Sequence, residues 1–117
     1  MARRRVNDWD DWWRMHGERE LRCILMTGWD PVGAADAPEA WDEYDDYALG
    51  VASRLRNADP DTAETEVLAY LQHVERDLIG IGQTTQRVAH TAYVASALVA
   101  WHEFSYEHGS RPREWID

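Results

Sequence analysis

Apolar residues along this chain recur every three or four positions, and nothing alternates with period two for long enough to predict a strand. Trp9, Trp12, Trp13 and His16 mark a first helix that starts at Asn7 or Asp8, both good N-caps. Gly17 weakens this pattern and predicts a kink or break. Leu21, Ile24 and Leu25 resume it, and it stops near Thr27 and Gly28, with Pro31 barring continuation.

A loop over residues 29–35 leads to a second helix. Asp36 is its expected N-cap, Pro38 suits its first turn, and Glu39 completes a capping-box arrangement with Asp36. Trp41, Tyr44, Ala48, Val51 and Leu55 then share one face, while Glu39, Asp42, Glu43 and Asp46 share the opposite one. That opposition predicts a helix buried on one side only.

The third helix opens around residues 59–61, with Asp61 and Glu64 repeating the capping signal. Its apolar row is Val67, Leu71, Val74 and Leu78, flanked by Leu68, Tyr70 and Ile79, and Gly80 and Gly82 supply the stop. A fourth helix runs from about Thr84 to Glu107 and ends at Gly109. Two apolar rows, Val88/Ala92/Ala95/Val99 and Val94/Leu98/Trp101, predict a central, largely buried helix. Its alanines (Ala89, Ala92, Ala95, Ala97, Ala100) would let another helix come close. The expected fold is all-α, a compact bundle of about four helices with short loops. A single domain covers 1–117, with flexible ends expected at 1–6 and 110–117.

Composition agrees with one globular domain: 117 residues, 44% hydrophobic, with seven Trp and five Tyr. The longest strongly apolar run, around 94–101, is too short to span a bilayer. The basic start turns acidic at Asp8 where a signal peptide would turn apolar, so a cytoplasmic location is expected. Cys23 is the only cysteine, which excludes an intrachain disulfide or a cysteine zinc site and predicts a buried packing role. Trp9, Trp12 and Trp13 span two sides of a helix. Core packing is the expected role of this row, with one ring left over to anchor an interface.

The net charge of −10 is unevenly placed. Residues 1–22 carry six Arg against five acids, residues 23–53 carry seven acids and no base, and residues 54–117 carry six Arg against ten acids. Such a surface repels a nucleic-acid backbone and attracts a basic protein. The three Arg at 3–5 read as a solvated tail.

The acids concentrate in Glu39, Asp42, Glu43, Asp45 and Asp46, the candidate partner-binding residues. Glu39–Glu43, Asp42–Asp45 and Asp42–Asp46 are like-charge pairs at helical spacing, each unfavourable by roughly 0.2–0.5 kcal/mol. An Arg from another helix, plain solvation or a basic partner would relieve them. A calcium loop of the EF-hand type needs alternating carboxylates, a turn glycine and a distal Glu, which these residues do not supply. Asp30 is expected to pin its loop and Asp36 to cap its helix, an irregular Ca²⁺ or Mg²⁺ site beside them being the alternative. His102 and His108 stand six apart, not at the i, i+4 spacing of a helical zinc site, and His102 is expected in the core. There is no phosphate loop and no nucleophile elbow. No catalytic residue, metal or cofactor is expected.

The stretch "ILMTGWDPVGAADAPEAWDEYDDY", followed by a helix ending "ERDLIGIG", resembles the YugE-like family of small uncharacterised bacterial proteins. The matching positions are Ile24, Leu25, Trp29, Asp30, Pro31, Val32, Gly33, Pro38, Asp42, Glu43, Tyr44, Asp45 and Tyr47. Val32 stands where Ile is usual, and the likeness covers about residues 21–82, leaving the Trp-rich start and the long last helix unmatched. The resemblance implies a compact helical domain and an association, as immunity proteins, with bacterial toxin or contact-competition systems. It implies no activity and no catalytic residues.

The expected function is therefore a non-enzymatic acidic protein–protein interaction domain, an immunity or antitoxin-type inhibitor binding a basic protein partner such as a toxin. Neither nucleic acid nor membrane is an expected partner, and the oligomeric state stays open. The alternative is a small enzyme or a metal- or ligand-binding domain using the loop carboxylates and a histidine.

Overall fold

Helices account for nearly all of the chain that the computed structural model describes, residues 6–29 and 41–108, and no strand occurs among them. Helix α1 (6–29) joins α-helical Val6–Trp12, a π-helical turn Trp13–Gly17, α-helical Glu18–Ile24 and a second π turn Leu25–Trp29. Helix α2 is Trp41–Asn57, and α3 (63–79) joins Ala63–His73 to a π turn Val74–Ile79. Helix α4 is Thr85–His108.

Gly17 does not break α1. Trp12, Gly17 and Glu18 all keep ordinary helical dihedrals. The glycine instead makes room, because a Cβ there would stand 2.7 Å from the Trp12 ring and 2.9 Å from that of Trp13. Nor does the helix stop at Gly28: Trp29, expected in the loop, is its last residue and is 1% exposed. The expected loop after it, the Asp36 and Pro38 helix start and the Asp30 pin lie outside the described residues. So do the expected flexible ends, except for Val6, which opens α1.

Backbone chemistry sets the other boundaries. A turn in which the Thr62 N–H reaches the Asp59 carbonyl (3.0 Å) precedes α3, so the helix starts after Asp61. Gly80 stops it in the left-handed region at φ 87°, with the N–H groups of Gly80 and Ile81 both donating to the Glu75 carbonyl. Thr84 caps α4, its Oγ1 accepting the Arg87 N–H at 3.0 Å.

The helices run up-down-up-down, as the cross-helix pairs show. Trp9 of α1 lies by Arg56 of α2, Gly50 of α2 by Tyr70 of α3, Glu75 of α3 by Arg87 of α4, and Trp9 again by His102 of α4. Helices α1 and α3 each border both α2 and α4, leaving those two on the diagonal. Tyr44, Ala48, Val51 and Leu55 face the core from α2, as the periodicity predicts, joined by Leu21 and Leu25, Val67 and Leu71, and Val94 and Leu98. No helix among the described residues is long and apolar enough to cross a membrane.

Three sequence expectations need correction. Cys23 is exposed, because the inward row of α1 passes through Leu21 and Leu25 and places residue 23 on the far side. Leu78 is 59% exposed. The π turn winds the chain less per residue, which brings Ile79 against the core and turns Leu78 out. Helix α4 is not central: Thr91, Val94, Ala95, Leu98, His102, Ser105 and Tyr106 face inward, while Tyr93 and Phe104 are exposed. Its inward row is partly polar and its outward row partly apolar, so hydrophobicity alone cannot orient it.

Gly17→Ala separates propensity from packing. Helix propensity alone favours Ala by about 1 kcal/mol, whereas overpacking against two Trp rings costs about 1–3 kcal/mol. Thermal unfolding followed by circular dichroism should show a lower Tm; a raised Tm would contradict the packing role.

Candidate functional site

Helix α2 presents the acidic face. Its inward side is anchored by Tyr44 and Tyr47, whose rings lie 6.1 and 5.9 Å from that of Trp29 and 5.5 Å from each other. With the helix thus held in rotation, Asp42, Glu43 and Asp46 are exposed, and among the described residues none of the three forms an ion pair. Asp45 differs: its Oδ1 accepts from Arg22 of α1 at 2.7 Å, both side chains being over a third exposed. A surface pair of this kind contributes at most about 1 kcal/mol. Glu39 lies outside the described residues.

Asp42 and Glu43 sit in the first turn of α2, where the helix dipole favours them, but Asp46 lies beyond it. The acids act on their surroundings: burial, followed by Glu43 and more weakly Asp46, pushes the Tyr47 phenol above its usual range. Beside this face, Arg19, Arg22, Cys23, Met26, Thr27, Asp42 and Asp45 line an open cleft of about 440 Å³ between α1 and α2.

The opposite end of the bundle holds an aromatic cluster. Trp9 and Trp12 are buried, and Trp13 is half-buried, stacked on Trp9 at 5.6 Å and 9°. His102 is 4% exposed, as expected of a core histidine, and its Nε2 accepts the Trp9 indole N–H at 2.9 Å. An indole N–H can only donate, so Nε2 supplies the lone pair and the neutral ring carries its proton on Nδ1. A cavity of about 220 Å³ opens beside it, floored by Leu55, Ala63 and Val99 and edged by Arg56 and Glu103. Among the described residues, no group of three or more His, Cys, Asp or Glu side chains is arranged to hold a metal ion. The loop acids Asp30 and Asp36 fall outside that set.

The strongest polar constellation went unnoticed in the sequence. Glu75 of α3 is fully buried. Its Oε2 accepts from the Trp29 indole (2.7 Å), the Thr91 hydroxyl (2.6 Å) and the Arg87 Nε and Nη2 (3.1 and 3.0 Å). Its Oε1 accepts from the Gln83 amide at 3.0 Å. Arg87 also donates to the Trp29 carbonyl at 3.1 Å, and a His90 ring nitrogen lies 2.6 Å from the Gly28 carbonyl oxygen, so the end of α1 is tied as well. The available signal was an acid four residues after Leu71, on the apolar side of α3.

Burial is the largest single influence on Glu75 and by itself pushes a carboxyl up. The donors from Thr91, Gln83, Trp29 and Arg87 together outweigh it and hold the group below the usual carboxylate range. The arrangement is a structural anchor: its oxygens are occupied and no solvent reaches them. Comparison with family models, curated proteins and solved structures finds no match for the chain.

The depressed Glu75 value fixes a sign. The unfolded chain takes up the proton at higher pH than the folded one, so the Glu75 contribution is fully present above the ordinary carboxylate value. It is lost as pH falls through the depressed folded value. The stability gap between wild type and Glu75→Gln, measured by urea unfolding, should be widest near neutrality and narrow in acid. A gap independent of pH would contradict an ionised Glu75.

Proposed function

We propose that this chain is a non-enzymatic interaction domain whose acidic α2 face docks a basic protein. The observation that carries the reading is the exposure of Asp42, Glu43 and Asp46, without ion-pair partners among the described residues, on a helix held in rotation by the buried Tyr44 and half-buried Tyr47. Three like charges at helical spacing raise the free energy of the unbound surface slightly, and a basic partner would relieve that while being steered in by a net charge of −10. Asp45 stands at the margin of this surface, since Arg22 already holds it. Glu39 precedes the helix in sequence and extends the same run of acids.

The resemblance to YugE-like proteins points the same way, toward an immunity or antitoxin-type inhibitor. A rigid row of carboxylates can imitate a phosphate backbone and occupy the basic active site of a nuclease toxin. No cofactor or metal enters this reading, and the bacterial, cytoplasmic setting is part of the proposal. The competing reading, a small enzyme or a metal- or ligand-binding domain using the loop carboxylates and a histidine, would have to draw on a histidine other than His102, whose Nε2 is already engaged by Trp9.

With the partner recovered from the native host by affinity purification, titration calorimetry tests the assignment. The triple variant Asp42→Lys/Glu43→Lys/Asp46→Lys should bind at least 100-fold more weakly near physiological salt, with helicity unchanged. Asp45→Asn should have the smaller effect, because its charge is already shared with Arg22. Unchanged affinity of the triple variant would overturn the proposal.

A further inference from the structure

We propose that the Trp9–His102 hydrogen bond is an acid-sensitive latch that holds the start of α1 on the bundle at neutral pH and lets it go in mild acid. The bond forms only with a neutral ring. Nε2 of His102 accepts the Trp9 indole N–H at 2.9 Å, whereas a doubly protonated imidazole has two donors and no acceptor. Gaining the second proton therefore turns the contact into two N–H groups pointing at each other, one of them charged.

The fold makes the consequence local. The α-helical segment Val6–Trp12 is seven residues long, and the π turn Trp13–Gly17 separates it by a change of winding from the rest of α1. A helix that short does not persist on propensity alone. Trp9 and Trp12 are its buried side chains among the described residues, and both lean on His102, with ring centres 6.3 and 5.7 Å away. His102 is itself buried, but it shares with Trp9 the wall of the open cavity of about 220 Å³. That cavity brings water to the ring and gives the indole space to move into.

Neighbouring charges do not replace the lost acceptor. Among the described residues, α1 brings Asp10 and α2 brings Arg56, paired with each other at 3.1 Å, and the guanidinium lies 4.9 Å from the Trp9 ring centre. From α4 come Glu103, also on the cavity wall, and the Tyr106 phenol, whose ring stacks on His102 at 5.8 Å. The α2–α3 connection and α3 bring only Ala58, Pro60 and Ala63 to the cavity. Glu103 is the group whose charge favours an imidazolium beside it, and it eases proton uptake without giving Trp9 an acceptor. Acid thus acts in one direction. A released ring in water takes its second proton near about pH 6.5, and the latched ring cannot take it and keep the bond. Between about pH 7.5 and 5.5 the released population should therefore grow about tenfold.

Hydrogen exchange of the full chain, read by mass spectrometry as amide protection factors over residues 9–16, tests the proposal. In the wild type these factors should fall about tenfold from about pH 7.5 to 5.5, while those over residues 91–98 hold. His102→Gln keeps an acceptor for the indole and has no second proton to gain, so its factors over 9–16 should stay level across that range. The other histidines are common to both chains and cancel in the comparison. Trp9→Phe, which keeps an aromatic ring but removes the donor, should likewise show no pH step, and it serves if His102→Gln does not fold. A wild type with level protection over 9–16, a loss shared equally by residues 91–98, or a step of equal size in either variant would each overturn the proposal.

Discussion

Among the described residues a single carboxylate, Glu75, is buried without any solvent contact, and the closed end of the bundle is arranged around it. Taking such a charge out of water costs several kcal/mol and is tolerated only when its partners are in place. Here the partners come from three segments that meet at that end: Trp29 from α1, Gln83 from the α3–α4 connection, Arg87 and Thr91 from α4. Glu75 also offers its main-chain carbonyl to Gly80 and Ile81, so the same residue terminates its own helix. Misplacing any one of these elements would strand a buried charge. That penalty, more than the strength of any one hydrogen bond, specifies how the helices meet.

The other end solves a different problem with the same logic. Indole rings are large enough to fill a core, but each brings an N–H that needs an acceptor. Trp9 finds His102, Trp29 finds Glu75 and Trp101 finds Glu20. Each of these bonds crosses from one helix to another, so the tryptophans fix helix pairings as well as volume. Among the described residues no buried side-chain nitrogen or oxygen lacks a partner. The rotation of α2 follows from this order, because Tyr44 and Tyr47 lean on a Trp29 that Glu75 holds. The direction in which Asp42, Glu43 and Asp46 face solvent is thus set by a carboxylate on another helix.

The bundle, the number of its helices and the inward faces of α2 and of the first part of α3 were legible in the sequence, because apolar spacing alone decides them. What escaped was governed by interactions that hydrophobic periodicity does not encode. Glu75 and Thr91 are buried polar residues held by partners on other elements or by each other, and Ser105 is buried as well, so α3 and α4 showed less than their true inward rows. The π turns at Trp13–Gly17, Leu25–Trp29 and Val74–Ile79 change the register within a helix, which hid the burial of Trp29 and the exposure of Leu78. Of the candidate site, the outward direction of Asp42, Glu43 and Asp46 followed from their spacing. The Arg22–Asp45 pair did not, since it depends on how α1 lies against α2.

Glu75 and its donors act as one unit, and a double-mutant cycle in urea measures this directly. Arg87→Met leaves the carboxylate buried without its countercharge and should cost about 3–5 kcal/mol. Glu75→Gln/Arg87→Met removes the charge as well, keeps an acceptor for Trp29 and Thr91, and should be more stable than Arg87→Met alone, with a coupling of about 2 kcal/mol. A double variant whose loss equals the sum of two small single losses would contradict the account.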